Sequence, residues 1–328
     1  MKLRHPLSFV PVFLLAATVL CEGASPPEAA ERVVGTGGSS ASVTALVSER
    51  PAAAERVRDR LWIWGHPAGV YNDSFLKNLP RKSRIEPIAA AEAMGLKNVM
   101  FIRYSGQPET PFEKYYKPFR KMDQVVWSLT GAGGATSTDE RAAVLKLADR
   151  QPNITGFILD DFFHGHVTGD AAKIDLTKGS FKASLSPAQL RELRAQLVIR
   201  GRRLPLISVV YTGQISPAAL DHLEQVDQIT LWTWEPGDLK HLERNFQRLK
   251  ALVPRKTILL GCYMYDFSKS QPLPVELMEE QVKLGYEWLL ADRIAGIVFL
   301  ATPICDLELP AVEWSREWIS RVGDRELP

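Results

Sequence analysis

The chain has 328 residues and a mass of 36.6 kDa, with 45% hydrophobic and 24% charged side chains. This composition is typical of a folded globular protein and excludes disordered, collagen-like and low-complexity classes. Forty Lys and Arg residues against 38 Asp and Glu residues leave a net charge of +2, which is too small for sequence-independent binding to nucleic acid.

The first 24 residues have the pattern of a secretory signal peptide. Lys2 and Arg4 give a basic start, residues 6–20 are mostly apolar, and three small residues follow at 23–25. The apolar run is too short for a comfortable membrane span, and no later run approaches about 18 uninterrupted apolar residues. We therefore expect an exported protein, periplasmic or extracellular, without a membrane span.

The segment 25–58 is rich in Ala, Ser, Gly, Pro and Glu and shows no sustained periodicity, which predicts a flexible linker before a domain at 59–325. Cys21 stands where a bacterial lipoprotein carries its lipidated cysteine, but the bulky Leu20 before it disfavours lipid anchoring. Cys262 and Cys305 remain after export, where one disulfide is possible; two buried free thiols are the favoured interpretation.

Eight apolar, β-branched and aromatic runs of strand length alternate with segments of helical spacing. Ser137 and Ser186 begin capping boxes, and apolar residues recur on one face over 239–253 and 275–289. The predicted strands are 61–64, 98–104, 124–129, 154–162, 204–212, 228–234, 257–265 and 294–301.

This alternation predicts an α/β protein with parallel strands, and eight units match the size of a single (β/α)8 TIM barrel. A doubly wound sheet is the alternative, but it normally carries a glycine fingerprint after its first strand, where this sequence reads Trp64-Gly65-His66-Pro67. The glycines at 131, 133 and 134 follow the third strand; a flexible loop is favoured over an anion-binding one.

In this barrel the active site forms at the carboxyl ends of the strands. Carboxylates, Trp and Tyr at these ends suit carbohydrate chemistry, since two carboxyl groups cleave a glycosidic bond and aromatic faces stack on sugar rings. Ordinary core packing accounts equally well for about half of the aromatic residues. The predicted substrate-binding residues are His66, Arg103, Tyr104, Tyr211, Trp232, Trp234, Tyr263, Tyr265, Asp266 and Asp306.

Asp160 and Asp161 are the sharpest candidates for catalysis, because they close the apolar run Gly156–Leu159 and two adjacent buried acids are costly unless they are paired or used. Their mutual repulsion is expected to make one a proton donor and the other an anion. Alternation along a strand points them to opposite faces, so both reach one site only at the frayed end of the strand.

The pair Asp160-Asp161 after the fourth strand and Trp232-Thr233 after the sixth resemble the barrel β-N-acetylhexosaminidases of the O-GlcNAcase and hyaluronidase type. The resemblance implies substrate-assisted catalysis in which Asp160 orients an acetamido group and Asp161 transfers the proton. Asp266 would match the Asp of an Asp-Asn pair, although Phe267 replaces the Asn.

Two further interpretations stay open. Glu235 is a third candidate catalytic residue, paired with Asp161 across a sugar, although its place before Pro236 also suits a solvated turn. His164 and His166 suggest a metal-dependent hydrolase, but their spacing matches no established metal motif. The long segment 164–184 is a lid or a surface insertion.

The sequence thus predicts an exported glycoside hydrolase that acts on an oligo- or polysaccharide without a cofactor or metal. A carbohydrate-binding barrel without turnover is the alternative from another class. The sequence does not determine the sugar, the stereochemistry or the oligomeric state.

Overall fold

The computed structural model describes residues 54–164 and 182–328. Eight parallel strands close into a barrel in the order β1-β8-β7-β6-β5-β4-β3-β2, so every strand pairs with its neighbours in the chain. The strands are β1 (Leu61–Gly65), β2 (Asn98–Phe101), β3 (Gln124–Thr130), β4 (Ile154–Leu159), β5 (Leu206–Tyr211), β6 (Gln228–Trp232), β7 (Thr257–Tyr263) and β8 (Gly296–Leu300). The predicted TIM barrel is confirmed.

Helices connect the strands on the outside of the barrel. They are α1 (Pro87–Ala93), α2 (Glu113–Tyr116), α3 (Thr138–Arg150), α4 (Pro187–Gln196), α5 (Leu220–Leu223), α6 (Leu242–Leu252), α7 (Val275–Leu290) and α8 (Pro310–Val322). Local sequence fixes several of their starts. The Ser137 hydroxyl accepts the Glu140 N–H at the start of α3, and Ser186 and Gln189 form a reciprocal capping box on α4. No helix among residues 54–164 and 182–328 is long and apolar enough to cross a membrane.

The barrel strands read as continuous apolar runs because both of their faces are buried. All five residues of β1 and all six of β5 are buried, and the strand interiors join one hydrophobic core with the inner faces of the helices. In the register of β6 and β7, Leu231 pairs with Leu260, so the next residues along, Trp232 and Gly261, are neighbours.

The first and last described residues of the domain contact each other. Val57 is fully buried in a short 3-10 helix and donates its N–H to the Arg325 carbonyl, and the Leu327 N–H donates to Glu55. The domain therefore includes residues that the composition assigned to the linker. The predicted signal peptide and the first part of the linker, through residue 53, lie outside the described residues.

A short antiparallel pair follows β4 and reaches the site. Phe163–His164 pairs with Lys182–Ala183, and the Ser184 N–H donates to the Phe162 carbonyl. Most of the predicted 164–184 insertion, including His166, lies outside the described residues.

Candidate active site

A cavity of about 430 Å³ lies at the carboxyl ends of the barrel strands, within the size range of small-molecule sites. Its wall combines aromatic rings with two adjacent carboxyl groups and one ion pair. The sequence-predicted residues in this wall are His66, Arg103, Tyr104, Asp160, Asp161, Tyr211, Trp232, Trp234 and Tyr263.

Asp160 is fixed at the end of β4 through its main chain. Its N–H donates to the Thr130 carbonyl at 3.2 Å, and the Thr130 hydroxyl donates to the Asp160 carbonyl at 3.0 Å. Thr130 ends β3 and is fully buried, so this pair of contacts locks the position from which the Asp160 side chain enters the cavity. The side chain is 5% exposed.

Asp161 reaches the same cavity because the backbone turns at that residue. Its φ angle is +42°, in the left-handed region that non-glycine residues rarely adopt. This turn ends the alternation of the strand, and both carboxyl groups line one cavity. Such a conformation in a non-glycine residue is typical of functional positions.

The glycine loop after β3 holds the Asp161 carboxylate. The Gly133 N–H donates to Oδ2 at 2.8 Å, so the loop binds a negative group that belongs to the chain itself. Gly134, with φ of +68°, lies against the same turn, and a Cβ there would come within 2.8 Å of the Asp161 carbonyl. Glycine is required here by this close approach, and the loop is an ordered support for the site.

Tyr211 contacts the other oxygen of the Asp161 carboxylate, and Tyr263 lies next to Tyr211. The Tyr211 hydroxyl donates to Asp161 Oδ1 at 2.8 Å, and the Tyr263 hydroxyl is hydrogen-bonded to Tyr211. Burial raises the pKa of both tyrosines well above the usual value, and the nearby aspartates add to the effect. Both hydroxyls therefore keep their protons at neutral pH.

The two carboxyl groups have different environments. Burial, reinforced by the charge of Asp161, raises the pKa of Asp160 well above its usual value, while a hydrogen bond from the Asp161 backbone opposes the shift only in part. Asp161 is half-buried and accepts a hydrogen bond on each oxygen. The two environments therefore differ, and burial beside a second acid makes Asp160 a group that favours its protonated form.

The floor of the cavity is aromatic. Trp232 and Trp64 meet edge to face with centroids 5.1 Å apart, and the Trp232 indole N–H donates to Thr230 at 2.9 Å. Gly261 of the neighbouring strand makes room for the ring, because a Cβ there would lie 2.1 Å from the indole. Trp234 is half-buried at the rim and stands perpendicular to Tyr263.

His66 lines the cavity as a neutral ring whose nitrogens are both occupied. Nδ1 lies 3.1 Å from the Ile102 carbonyl and Nε2 lies 3.0 Å from the indole nitrogen of Trp64. Because a carbonyl only accepts and an indole N–H only donates, Nδ1 carries the proton. Burial lowers the pKa of His66 to about 3. His66 was predicted to bind substrate. In the structure both of its ring nitrogens contact other protein groups, and the ring lines the cavity wall.

Arg103 links two parts of the cavity wall. Its Nε donates to the Pro108 carbonyl at 3.0 Å, Nη2 donates to Gly106 at 2.6 Å, and Nη1 pairs with Glu140. Glu140 stands in the first turn of α3 and also lines the cavity. The guanidinium thus links the loop after β2 to α3. Arg103 was predicted to bind substrate, but much of its hydrogen-bonding capacity is used by these protein groups.

Four predicted residues are absent from the cavity wall, as far as the described residues show. Glu235 precedes a 3-10 helix, and its carbonyl accepts the Asp238 N–H. The Tyr265 hydroxyl donates to the Phe75 carbonyl at 3.1 Å. Neither residue lines the cavity.

The other two are acids with structural partners. Asp266 accepts hydrogen bonds from Ser268, Lys269 and Gln271, which close the hairpin turn after β7. Asp306 accepts the N–H of Arg84 at 2.9 Å. Asp266 therefore organises a turn, and no Asp-Asn pair forms at strand seven.

Several wall residues were not predicted. Tyr71 and Phe75 come from the long loop after β1 and form an edge-to-face cluster with Phe267. Burial raises the pKa of Tyr71 well above its usual value, with Tyr104 and Asp160 as further causes. The sequence of that loop shows no helical or strand periodicity, so its aromatic residues were the only signal for a role in the site.

The described residues hold no group of three or more His, Cys, Asp or Glu arranged for a metal ion. His164 is exposed, with Nε2 3.3 Å from the Ser184 hydroxyl. Cys262 and Cys305 are buried and free, as the favoured interpretation expected.

No protein-family model and no curated protein matches this chain. Among solved structures, a chitinase catalytic domain from Pyrococcus furiosus is 14% identical, covering 76% of this chain and 85% of that one at a TM-score of 0.46. A xylanase–α-amylase inhibitor protein complexed with trehalose is 15% identical, covering 83% and 100% at 0.46. The PgaB glycoside hydrolase domain from Bordetella bronchiseptica is 12% identical, covering 78% and 98% at 0.43. Likeness at this level gives no basis for transferring an activity, so the function of this barrel has to come from the geometry of its cavity.

Proposed function

We propose that the protein is a glycoside hydrolase that cleaves an oligo- or polysaccharide with Asp160 and Asp161. One observation carries this proposal: two adjacent carboxyl groups in different environments share a cavity at the carboxyl ends of the barrel strands. Glycosidic cleavage needs one carboxylic acid to protonate the leaving oxygen and one carboxylate to act on the sugar. Glu235 does not line the cavity and is not needed as the second acid.

The aromatic wall supports a carbohydrate substrate. Sugar rings have apolar faces that pack on indole and phenol rings, and their hydroxyls need polar partners between those rings. Trp232 at the floor, Trp234 at the rim, Tyr71 from the loop after β1 and Tyr104 from the loop after β2 line the cavity with such rings. We also propose that the protein acts outside the cytoplasm, because residues 1–24 have the pattern of a secretory signal peptide.

The adjacency of the two aspartates also suits substrate-assisted cleavage of an N-acetylhexosaminide, as the resemblance implied. In that chemistry the substrate's own acetamido oxygen attacks the anomeric carbon, and one carboxylate orients the acetamido group. N-acetylhexosaminides therefore belong in the first set of substrates.

The test measures sugar release from a panel of glycosides and polysaccharides by the purified protein and its variants. Asp160→Asn and Asp161→Asn are compared with Asp149→Asn, which makes the same change at an exposed position of α3. We expect hydrolysis by the native chain and the control, and a loss of roughly 10²-fold or more in both site variants.

Binding of oligosaccharide without hydrolysis, undiminished by either Asn substitution, would contradict the proposal. That outcome would favour the binding-only barrel, which the aromatic wall alone would serve. Activity that chelators abolish and added zinc restores would instead favour metal-dependent hydrolysis.

A further inference from the structure

We propose that Asp160 is the proton donor of this site and that Asp161 works as a fixed carboxylate, held by the Gly133 N–H on one oxygen and by the Tyr211 hydroxyl on the other. This inference rests on the proposed function. It reverses the roles that the resemblance implied for the two aspartates.

The contacts of Asp161 select its ionised form. A backbone N–H can only donate, so the Gly133 contact at 2.8 Å keeps Oδ2 as an acceptor. Tyr211 donates to Oδ1 at 2.8 Å. Both contacts donate to the carboxyl group, and hydrogen bonds donated to a carboxyl group favour its charged form.

Tyr211 is the tyrosine that positions this carboxylate. Its hydroxyl proton is donated to Asp161 Oδ1, and a hydrogen bond to the charged form of a carboxyl group stabilises that form. Tyr263 lies next to Tyr211 in the same wall and is buried. Tyr211 is therefore a positioning residue for the carboxylate.

Asp160 has the opposite surroundings. It is 5% exposed, faces the buried Tyr71, and has the ionised Asp161 beside it. The raised pKa agrees with this geometry. A carboxyl group held neutral by burial beside a fixed anion is the form that can give a proton to a leaving group.

The chemical step balances as follows. The Asp160 O–H proton moves to the glycosidic oxygen while the bond from that oxygen to the anomeric carbon breaks, and the bonding electron pair stays on the departing oxygen. Asp161 faces the positive charge that develops on the sugar. Water then adds to the anomeric carbon and returns one proton to the Asp160 carboxylate.

Other titratable groups surround the pair. Tyr71 from the loop after β1, Tyr211 from β5 and Tyr263 from β7 face it, and the Arg103–Glu140 ion pair lines the same cavity. His66 stays neutral, and His164 lies beyond Gly134. Burial holds the three tyrosines protonated, so they add no charge beside the two aspartates.

The first experiment compares leaving groups. Dinitrophenolate departs without protonation, whereas an alkyl alcohol or a sugar hydroxyl needs an acid. We expect Asp160→Asn to stay within about tenfold of the native rate on dinitrophenyl glycosides and to lose roughly 10²–10⁴-fold on alkyl glycosides. Asp161→Asn should lose activity on both.

The opposite pattern, with Asp161→Asn spared on dinitrophenyl glycosides, overturns the assignment alone. No hydrolysis of any glycoside by the native protein overturns the proposed function as well. Infrared difference spectra then give a second readout without substrate. The native chain at neutral pH should show a protonated carboxyl band that Asp160→Asn lacks; retention of that band overturns the assignment.

The second experiment tests the positioning role of Tyr211. Tyr211→Phe removes one of the two donors to the Asp161 carboxylate, so kcat should fall while KM changes less than kcat. Tyr286→Phe makes the same change on the outer helix α7 and should leave both constants in place. A Tyr211→Phe protein whose kcat equals the native value, or whose KM alone changes, overturns this role.

Discussion

Gly261→Ala is predicted to disturb the floor of the cavity through a single added methyl group. The new Cβ would lie 2.1, 2.2 and 2.3 Å from three atoms of the Trp232 indole, far inside van der Waals contact. The ring has little freedom to withdraw. It meets Trp64 at 5.1 Å and Tyr263 at 5.2 Å between centroids, and its N–H donates to Thr230 at 2.9 Å.

The expected cost has two parts. Overpacking of a well-filled core costs about 1–3 kcal/mol. Moving the indole also removes the hydrogen bond to Thr230, which contributes about 1 kcal/mol. Together these lower the free energy of unfolding by about 2–4 kcal/mol.

Urea denaturation of Gly261→Ala beside Gly237→Ala provides the assay. A Cβ at Gly237 meets nothing within 4 Å, so that control should stay within about 0.5 kcal/mol of the native chain. Trp232→Phe should recover part of the loss when combined with Gly261→Ala, because the smaller ring leaves room for the methyl. A Gly261→Ala protein as stable as its control would refute the packing described for the floor.

Three other predictions follow from buried or paired groups. The His66 ring should show no NMR titration between pH 8 and about 5, because its folded pKa is about 3 against an ordinary 6.5; a titration near 6.5 would contradict its burial. The hydrogen bond from Arg293 lowers the pKa of Glu243 below 4.5, so its stabilisation is present above that pH and is lost as the pH falls. Glu243→Gln should therefore lower the free energy of unfolding at pH 7 by about 0.5–1 kcal/mol. In acid, the unfolding free energies of the variant and the native chain should converge. Cys262 and Cys305 should resist thiol labelling, read by mass spectrometry, until the chain unfolds, since burial raises the pKa of both thiols.

The barrel could be predicted because its strands are buried on both faces and so appear as uninterrupted apolar runs. The ends of the strands were predicted less accurately than the strands themselves. The fourth run was predicted to continue to Phe162, whereas β4 ends at Leu159, because Asp161 adopts a left-handed backbone that only the folded loop after β3 can support.

The candidate pair Asp160 and Asp161 could be found from two acids that end an apolar strand, but the same reasoning put Asp266 in the site, where it does not line the cavity. Both positions follow buried strands, and the difference lies in the partners. Three donors from the following turn satisfy Asp266, whereas Asp161 is held by Gly133 from the loop after β3 and by Tyr211 from β5. Local sequence does not distinguish these cases, because the partners of Asp161 are distant in the chain.

Gly261 gave no signal in the sequence. Its role depends on the register of β6 against β7, which places it beside Trp232. Tyr71 was missed for a similar reason, since a long aperiodic loop does not reveal which side chain turns inward.

The short pairing of Phe163–His164 with Lys182–Ala183 brings the two ends of the intervening segment to within one strand spacing. A chain that enters and leaves at one point can be lengthened or shortened there at little entropic cost to the rest of the fold. We therefore expect the barrel to tolerate a shorter or longer segment between these two strands.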